Sequence, residues 1–393
     1  MPYRSLFSLS FISFCFGTGL FMVAGLLSEI SEKLSIDLPT AGTIISAYGV
    51  TCAVGAPLAT MIFAKVSPKK VMIIALGLFC LGNLVAFLSE SYWILMVGRI
   101  VTALGTATGT PSAVAIAATI SPPQKRAQAI STVIFGFGMA QVIGVPFGTF
   151  IGQKLNWHMP FGALVILGLI GAVLALLLLP NSIQKTVASL REWGLLISDR
   201  RIQLALVFNS LQLIAQFGAF SYISAIAKEK VLNGSEWLPF FILIFGISHL
   251  LGSLAVGRLT DKTGAFRSVQ ICMICVAVAF VGLQLVSGSM IVFGICMAMW
   301  GLFGINTSIP HQARLIGYRP NFASIALSIN TSVVYFSDAF GAFTGGQVIK
   351  FIGLNHLFWV SIFLLGVAFL VNTVCRRFEV QSADIVTSTV RAS

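Results

Sequence analysis

Asp338 and Arg99 are the two ionisable side chains that stand well inside long apolar stretches of this sequence. An ionised group at the centre of a bilayer costs about 2.5 to 3.5 kcal/mol on insertion scales, so residues of this kind usually face a cavity and serve function. Gly341 and Gly345 follow Asp338 at i+3 and i+7, which puts the carboxyl on a thin helix face that packs inward. There it can take up and release a proton, or it can act structurally, satisfied by Ser337 or Thr344. Arg99 stays charged and can clamp a substrate anion, pair with a carboxylate such as Glu29, or serve as a hydrogen-bonding strut. Glu29 itself lies near one end of the first apolar stretch, where a coupling role and a solvated helix-terminal acid are equally good readings. His249 can act in proton coupling or as a packed hydrogen-bonding residue, and His311 beside Arg314 reads as a loop residue. Asn209, Gln212 and Gln216 recur at i, i+3 and i+7 and so share one helix face. With Gln141, Asn306 and Asn330 they are candidates to line a polar cavity, or to hydrogen-bond between helices.

The elements that must hold these residues are membrane spans. The 393 residues are 57% hydrophobic and only 9% charged, whereas soluble domains carry about 25% charged residues, so an ordinary soluble enzyme is excluded. Apolar runs long enough to cross a bilayer fall at 6–27, 42–63, 71–88, 93–116, 129–151, 161–179, 204–226, 238–257, 269–286, 290–309, 325–349 and 357–374. These twelve predict an all-α membrane protein, and the first, preceded by Arg4, reads as a retained span rather than a cleaved signal peptide. The seven cysteines read as buried hydrophobes, Cys272 and Cys275 included, because that lone Cys-x-x-Cys has no second pair beside it. No His-Glu-x-x-His, no Gly-x-Ser-x-Gly and no phosphate-binding loop occurs, so neither an enzyme, nor a metal, nor a cofactor is expected.

With 24 Lys and Arg against 12 Asp and Glu the net charge is +12, and its distribution is a topology signal. Placing the N-terminus inside collects most basic residues on the even-numbered connections and the tails. The opposite side keeps only Lys33, Lys154, Lys228, Lys230 and Lys350. Both termini are therefore expected in the cytoplasm, and nucleic acid is not an expected partner. The longest connection falls near the middle of the chain, which divides into a six-helix bundle at 1–180, a cytoplasmic linker at 181–201, a second bundle at 202–377 and a tail at 378–393. A shift of 197 residues superposes Gly144 on Gly341, Gly148 on Gly345 and Ala64 on Asp261, the mark of two parallel repeats.

Three stretches carry a family resemblance. Gly257-Arg-Leu-Thr-Asp261-Lys262-Thr-Gly264-Ala-Phe-Arg267 resembles the loop signature of the major facilitator superfamily. Gly257 would allow close helix approach and Gly264 a sharp turn, while Asp261, Lys262 and Arg267 would form charge contacts at a cytoplasmic gate. The equivalent loop of the first half keeps Lys65 but has Ala64 where the family has its acid, so the two halves are expected to lock unequally. Gly144, Pro146, Gly148 and Gly152 resemble the antiporter signature of span five: the glycines bare one helix face and the proline bends the span. Gly25 to Ile30, Ala41-Gly42 and Gly55-Ala-Pro57 resemble the drug:proton antiporter branch, particularly its arabinose-efflux-permease-like members, although Leu20 stands where many of those carry an acid.

The resemblance implies two pseudo-symmetric six-helix bundles rocking about a central site, a monomer, and residence in the cell (inner) membrane. The function expected is proton-coupled export of a small amphipathic compound by alternating access. A facilitator or importer of a sugar, nucleoside or similar metabolite is the alternative, and a sensor that has lost transport is the third.

Overall fold

A computed structural model describes residues 3–180, 196, 198–319 and 322–392 of the chain. The helices of the first half are α1 (Tyr3–Lys33), α2 (Leu38–Ile62), α3 (Pro68–Phe87), α4 (Tyr92–Ile120), α5 (Arg126–Met139), α6 (Val145–Lys154) and α7 (Met159–Leu178). Those of the second half are α8 (Arg200–Ser221), α9 (Ile223–Lys230), α10 (Gly234–Thr263), α11 (Ala265–Leu285), α12 (Met290–Phe303), α13 (Ser308–Tyr318), α14 (Ala323–Phe351) and α15 (Leu357–Ala392). Among the described residues eleven helices are long and apolar enough to cross a membrane. α14 makes the twelfth span: its 29 residues reach about 44 Å, and it falls short in hydropathy only because it carries Asn330, Asp338 and several hydroxyls. Much of the linker expected at 181–201 lies outside the described residues, and the helical backbone of α15 runs on through the segment assigned to the tail.

Most helices outrun the apolar stretches that foretold them, because hydropathy marks only the hydrocarbon core while the backbone stays helical into the headgroup layer. Polar caps then end them. Asp37 accepts from Thr40 N ahead of α2, Ser91 from Ile94 N ahead of α4, and Asp199 from Arg201 N ahead of α8. Three spans are broken internally. The fifth contains a π-helical segment, Ala140–Gly144, immediately before Pro146, which is where the proline's missing donor loosens the ladder. The seventh breaks at Tyr222, between α8 and α9, and the tenth at Gly304 to Thr307, between α12 and α13.

Small residues set how closely the helices pack. Cβ atoms on Gly136, Gly144, Gly148 and Gly152 would run into Ser10, Thr18, Met22 and Leu26, so the bare face of the fifth span is filled by α1. The Gly136 position abuts the backbone carbonyl of Ser10, which cannot rotate away. Gly136→Ala should therefore cost about 1 to 3 kcal/mol, read as a lower unfolding midpoint in detergent.

Three groups of helix pairs join the halves: α2 with α14, α1 with α8, α9 and α10, and α10 with the fifth span. Ala339 N lies 2.8 Å from the Cβ position of Gly49, and Val142 Cα lies 2.8 Å from that of Gly246. Toward the end that carries the loop between Lys33 and Leu38, Ser28 Oγ bonds Ser224 Oγ at 3.1 Å and Lys228 pairs with Glu32. The seam is therefore closed from mid-span to that end.

Candidate functional site

Arg99 is fully buried in α4 and reaches toward two neighbouring helices. Its Nη1 donates to Gly19 O of α1 at 2.8 Å, and its guanidinium lies over the Tyr48 ring of α2, 4.1 Å from the centroid. Tyr48 is held in turn by a 2.6 Å hydrogen bond with Thr106. Among the described residues the Nε and Nη2 groups of Arg99 have no partner. Unsatisfied charged donors of this kind are costly in a dry interior.

Asp338 is buried in α14, one residue before the Ala339 that packs on Gly49. Its carboxylate therefore lies at the seam between the halves, and Oδ2 has no partner. The two hydroxyls expected to satisfy it are engaged elsewhere. Ser337 Oγ donates to Val333 O at 2.7 Å and lies 3.1 Å from Ser210 Oγ, which can donate to it, and the single Thr344 proton is shared between Phe340 O at 2.8 Å and Gly341 O at 3.0 Å. Asp338 and Arg99 feel each other's charge, and both act on Cys52 of α2, yet among the described residues they form no ion pair within 4 Å. A carboxyl and a guanidinium from opposite halves are thus both buried, with bonding capacity unspent among the described residues. Glu29 is not part of this cluster.

Near the closed end, Glu29 borders a polar cavity of about 160 Å³ with Ser28, Glu32, Ser224 and Lys228. It sits half-buried beside the contacts that bridge the seam there. The ring of His249 makes no hydrogen bond among the described residues, and its backbone carbonyl accepts from Asn306 Nδ2 at 2.9 Å.

The three amides of α8 form a ladder, and of the three only Gln216 also borders a cavity. Trp300 Nε1 donates to Gln216 Oε1 at 3.0 Å, Gln216 Nε2 to Gln212 Oε1 at 2.5 Å, Gln212 Nε2 to Asn209 Oδ1 at 3.0 Å, and Asn209 Nδ2 to Asn330 Oδ1 at 3.0 Å. An indole N–H can only donate, so it fixes the sense of every amide below it. His311 Nε2 bonds Asn330 Oδ1 at 3.0 Å and must carry the proton there. Asn306 is spent on His249 O, Leu302 O and Gly301 O. Only Gln216, at the head of the ladder, and Gln141, from the fifth span, reach a central cavity, which they share with Phe21, Phe217, Phe220, Phe245, Trp300 and Ile305.

The gate residues are the clearest departure from expectation. Asp261, Lys262, Arg267 and Lys65 are exposed and take part in no ion pair among the described residues. The charged contacts at these loops come instead from Lys69, whose Nζ donates to Leu176 O and Leu179 O at 2.8 Å, and from Arg376, which lies 4.5 Å from the centroid of the Phe266 ring. A Cβ on Gly257 would meet open space, so its expected role in close helix approach is corrected, whereas Gly264 does turn the chain at φ +80°. The charge contacts of that face are elsewhere, at residues the sequence had not singled out. Burial works against the ionised form of Asp199, but hydrogen bonds from the Arg201 side chain and backbone and from Arg319 outweigh it and hold the carboxyl below its ordinary range. Stability from this cluster is present above the unfolded carboxyl value of about 3.9 and is lost as pH falls through the lower folded value. Asp199→Asn should thus lower the unfolding midpoint at pH 7, with the difference from wild type shrinking as pH falls below 4.

Two further polar residues were missed. His311, expected in a loop, is fully buried in α13. Arg314 is buried too, with Nη1 on Asn372 Oδ1 at 2.5 Å and Nη2 on Cys375 Sγ at 2.9 Å.

A sequence model of the Major Facilitator Superfamily matches residues 9–342. The uncharacterized MFS-type transporter YbcL of Bacillus subtilis is 31% identical over 357 residues, 91% of each chain. The inner membrane transport protein YdhP of Escherichia coli K12 is 26% identical over 355 residues, 90% of each chain. Among solved structures, the nucleoside transporter NupG is similar with a TM-score of 0.76 at 15% identity, covering 96% of this chain and 99% of its own. A bacterial homolog of the human lysosomal transporter Spinster, inward-facing and occupied, gives 0.76 at 16% identity, covering 96% and 97%. At those identities the two structures speak for the fold alone.

Proposed function

This chain belongs to the major facilitator superfamily, a family of transporters rather than enzymes, and from that premise we propose that it is a proton-coupled carrier exporting a small amphipathic compound by alternating access. The observation that carries this reading is the unspent Asp338 carboxylate at the α2–α14 seam, set against an Arg99 with two free donors in the other half. An ion pair already closed would resist change. Two separated partners leave the carboxyl able to hold a proton in one state and to meet a cation or substrate in the other.

The seam contacts give the cycle its mechanics. Rocking the halves apart at the closed end must break the Ser28–Ser224 bond and the Glu32–Lys228 pair, and must separate Gly49 from Ala339 and Gly246 from the fifth span. Asp338 and Arg99 stand on opposite sides of the separating surface, so their mutual field changes with the motion. Protonation of Asp338 then biases the equilibrium between the two states, as coupling requires. One elementary charge moved across 100 mV supplies about 2.3 kcal/mol, sufficient for a concentration ratio of a few tens.

We place the carrier in the inner membrane as a monomer with both termini cytoplasmic, on the distribution of Lys and Arg. The closed end then faces outward, and the bundles at 1–180 and 202–377 are the rocking bodies. The test is substrate uptake into inverted membrane vesicles with and without an imposed pH gradient. Uptake that follows the gradient is expected. Equilibration indifferent to the gradient would mark a facilitator, and binding without movement a sensor.

A further inference from the structure

Five of the eight residues lining the central cavity are aromatic, and its two polar groups are unequal. Gln216 is saturated: Oε1 accepts from Trp300 Nε1, while Nε2 donates to Gln212 Oε1 and lies 3.4 Å from Gly304 O. The indole N–H of Trp300 is consumed by the same bond. Gln141 is the opposite case. It is 4% exposed, its Oε1 has no partner, and its carboxamide makes no hydrogen bond among the described residues. An amide left without a partner inside a membrane protein is costly unless something comes to fill it.

No ionisable residue lines this space. Phe21 brings one ring from the first half, near-parallel to Phe217 at 18° with centroids 6.3 Å apart, and edge-on to Phe220 at 6.4 Å. Phe220 and Phe245 close on Trp300 at 6.0 and 5.3 Å. The gap is only about 10 Å³ in the present state, room for one water molecule at most. Phe21 and Gln141 lie across the seam from the other lining residues, so the rocking motion that opens the seam must also widen it.

We propose that this cage is the substrate site, and that it selects an uncharged, flat, aromatic or conjugated compound with a hydrogen-bonding edge that pairs with the carboxamide of Gln141. The inference rests on the carrier reading above and gives it a substrate class. The rings supply stacking faces, and Gln141 is the one group free to fix orientation. Charged compounds are excluded because the lining has no counter-charge to offset their desolvation.

Equilibrium dialysis of the full chain in nanodiscs, against empty nanodiscs, tests the proposal with three probes that share one ring system. These are 2-naphthamide, which is neutral, 2-naphthoate, an anion, and 2-naphthylmethylammonium, a cation. Saturable binding of 2-naphthamide is expected, with the two ions about a hundredfold weaker. Gln141→Leu, close to isosteric, should weaken the amide about fivefold, and Phe21→Ala should weaken it further. The absence of saturable 2-naphthamide binding, equal or tighter binding of either ion, or an unchanged affinity in Gln141→Leu would overturn the proposal. No gradient is imposed, so the result is separate from coupling. Gln141→Leu should keep the fold, checked by its unfolding midpoint.

Discussion

Asp338→Asn is expected to abolish gradient-driven accumulation while leaving exchange of substrate across the membrane intact. Asparagine keeps the size and hydrogen-bonding ability of the side chain but cannot gain or lose a proton at neutral pH. Fold and seam packing should survive, because Ala339, which makes the close contact with Gly49, is untouched. In proteoliposomes the variant should equilibrate substrate to the same endpoint with or without a pH gradient, whereas wild type should exceed that endpoint severalfold. Arg99→Gln should behave differently. It removes the donor to Gly19 O and the cation over Tyr48, which together tie α1 and α2 to α4, so both exchange and accumulation should fall.

Gly246→Leu is expected to trap the carrier open at the end that is closed here. The Cβ position of Gly246 faces the backbone of Gln141 and Val142 across the seam, with Gln141 C at 2.7 Å and Val142 Cα at 2.8 Å. No side-chain rotation relieves a clash with backbone. Overpacking of this kind costs about 1 to 3 kcal/mol, and the cost falls on the closed state alone because the surfaces part in the other. The closed population should drop by roughly 5- to 150-fold. Spin labels placed at the exposed Lys33 and Leu232 should report longer distances in the variant, and turnover should fall in proportion. An unchanged distance distribution would mean that this contact does not separate during the cycle.

Much of this arrangement was legible in the sequence, for reasons that can be named. Spans are legible because hydrocarbon imposes a length and an apolar composition, and α14 was found despite its polar load because its flanks are apolar. Asp338 and Arg99 were legible because an ionisable residue amid apolar neighbours has few neutral explanations. The glycine stripe of the fifth span announced a close approach, though not that α1 would fill it. Elsewhere pattern was insufficient. Gly257 sits in a recognisable motif, but spacing tells what a backbone can do and not which helix stands opposite, and among the described residues nothing lies within 4 Å of its Cβ position. Asn209, Gln212 and Gln216 share a face as expected, yet whether amides meet water or one another depends on Trp300, 84 residues from Gln216 along the chain. His311 and Arg314 read as loop residues because their segment is polar around Pro310. Their burial is supported by Asn330 on α14 and Asn372 on α15, partners that no local pattern could supply, besides the Tyr318 hydroxyl one turn from Arg314. The cluster at Asp199 was hidden for the same reason, since Arg319 lies 120 positions away.

Infrared difference spectroscopy of the purified carrier in lipid, stepped through a pH titration, tests the coupling role of the seam carboxyl most directly. Wild type should show a protonated-carboxyl band that rises and falls with pH and changes when substrate is added, and that band should be missing in Asp338→Asn. A band that persists unchanged in the variant, or a wild-type spectrum indifferent to substrate, would contradict the assignment of Asp338 as the group that carries the proton.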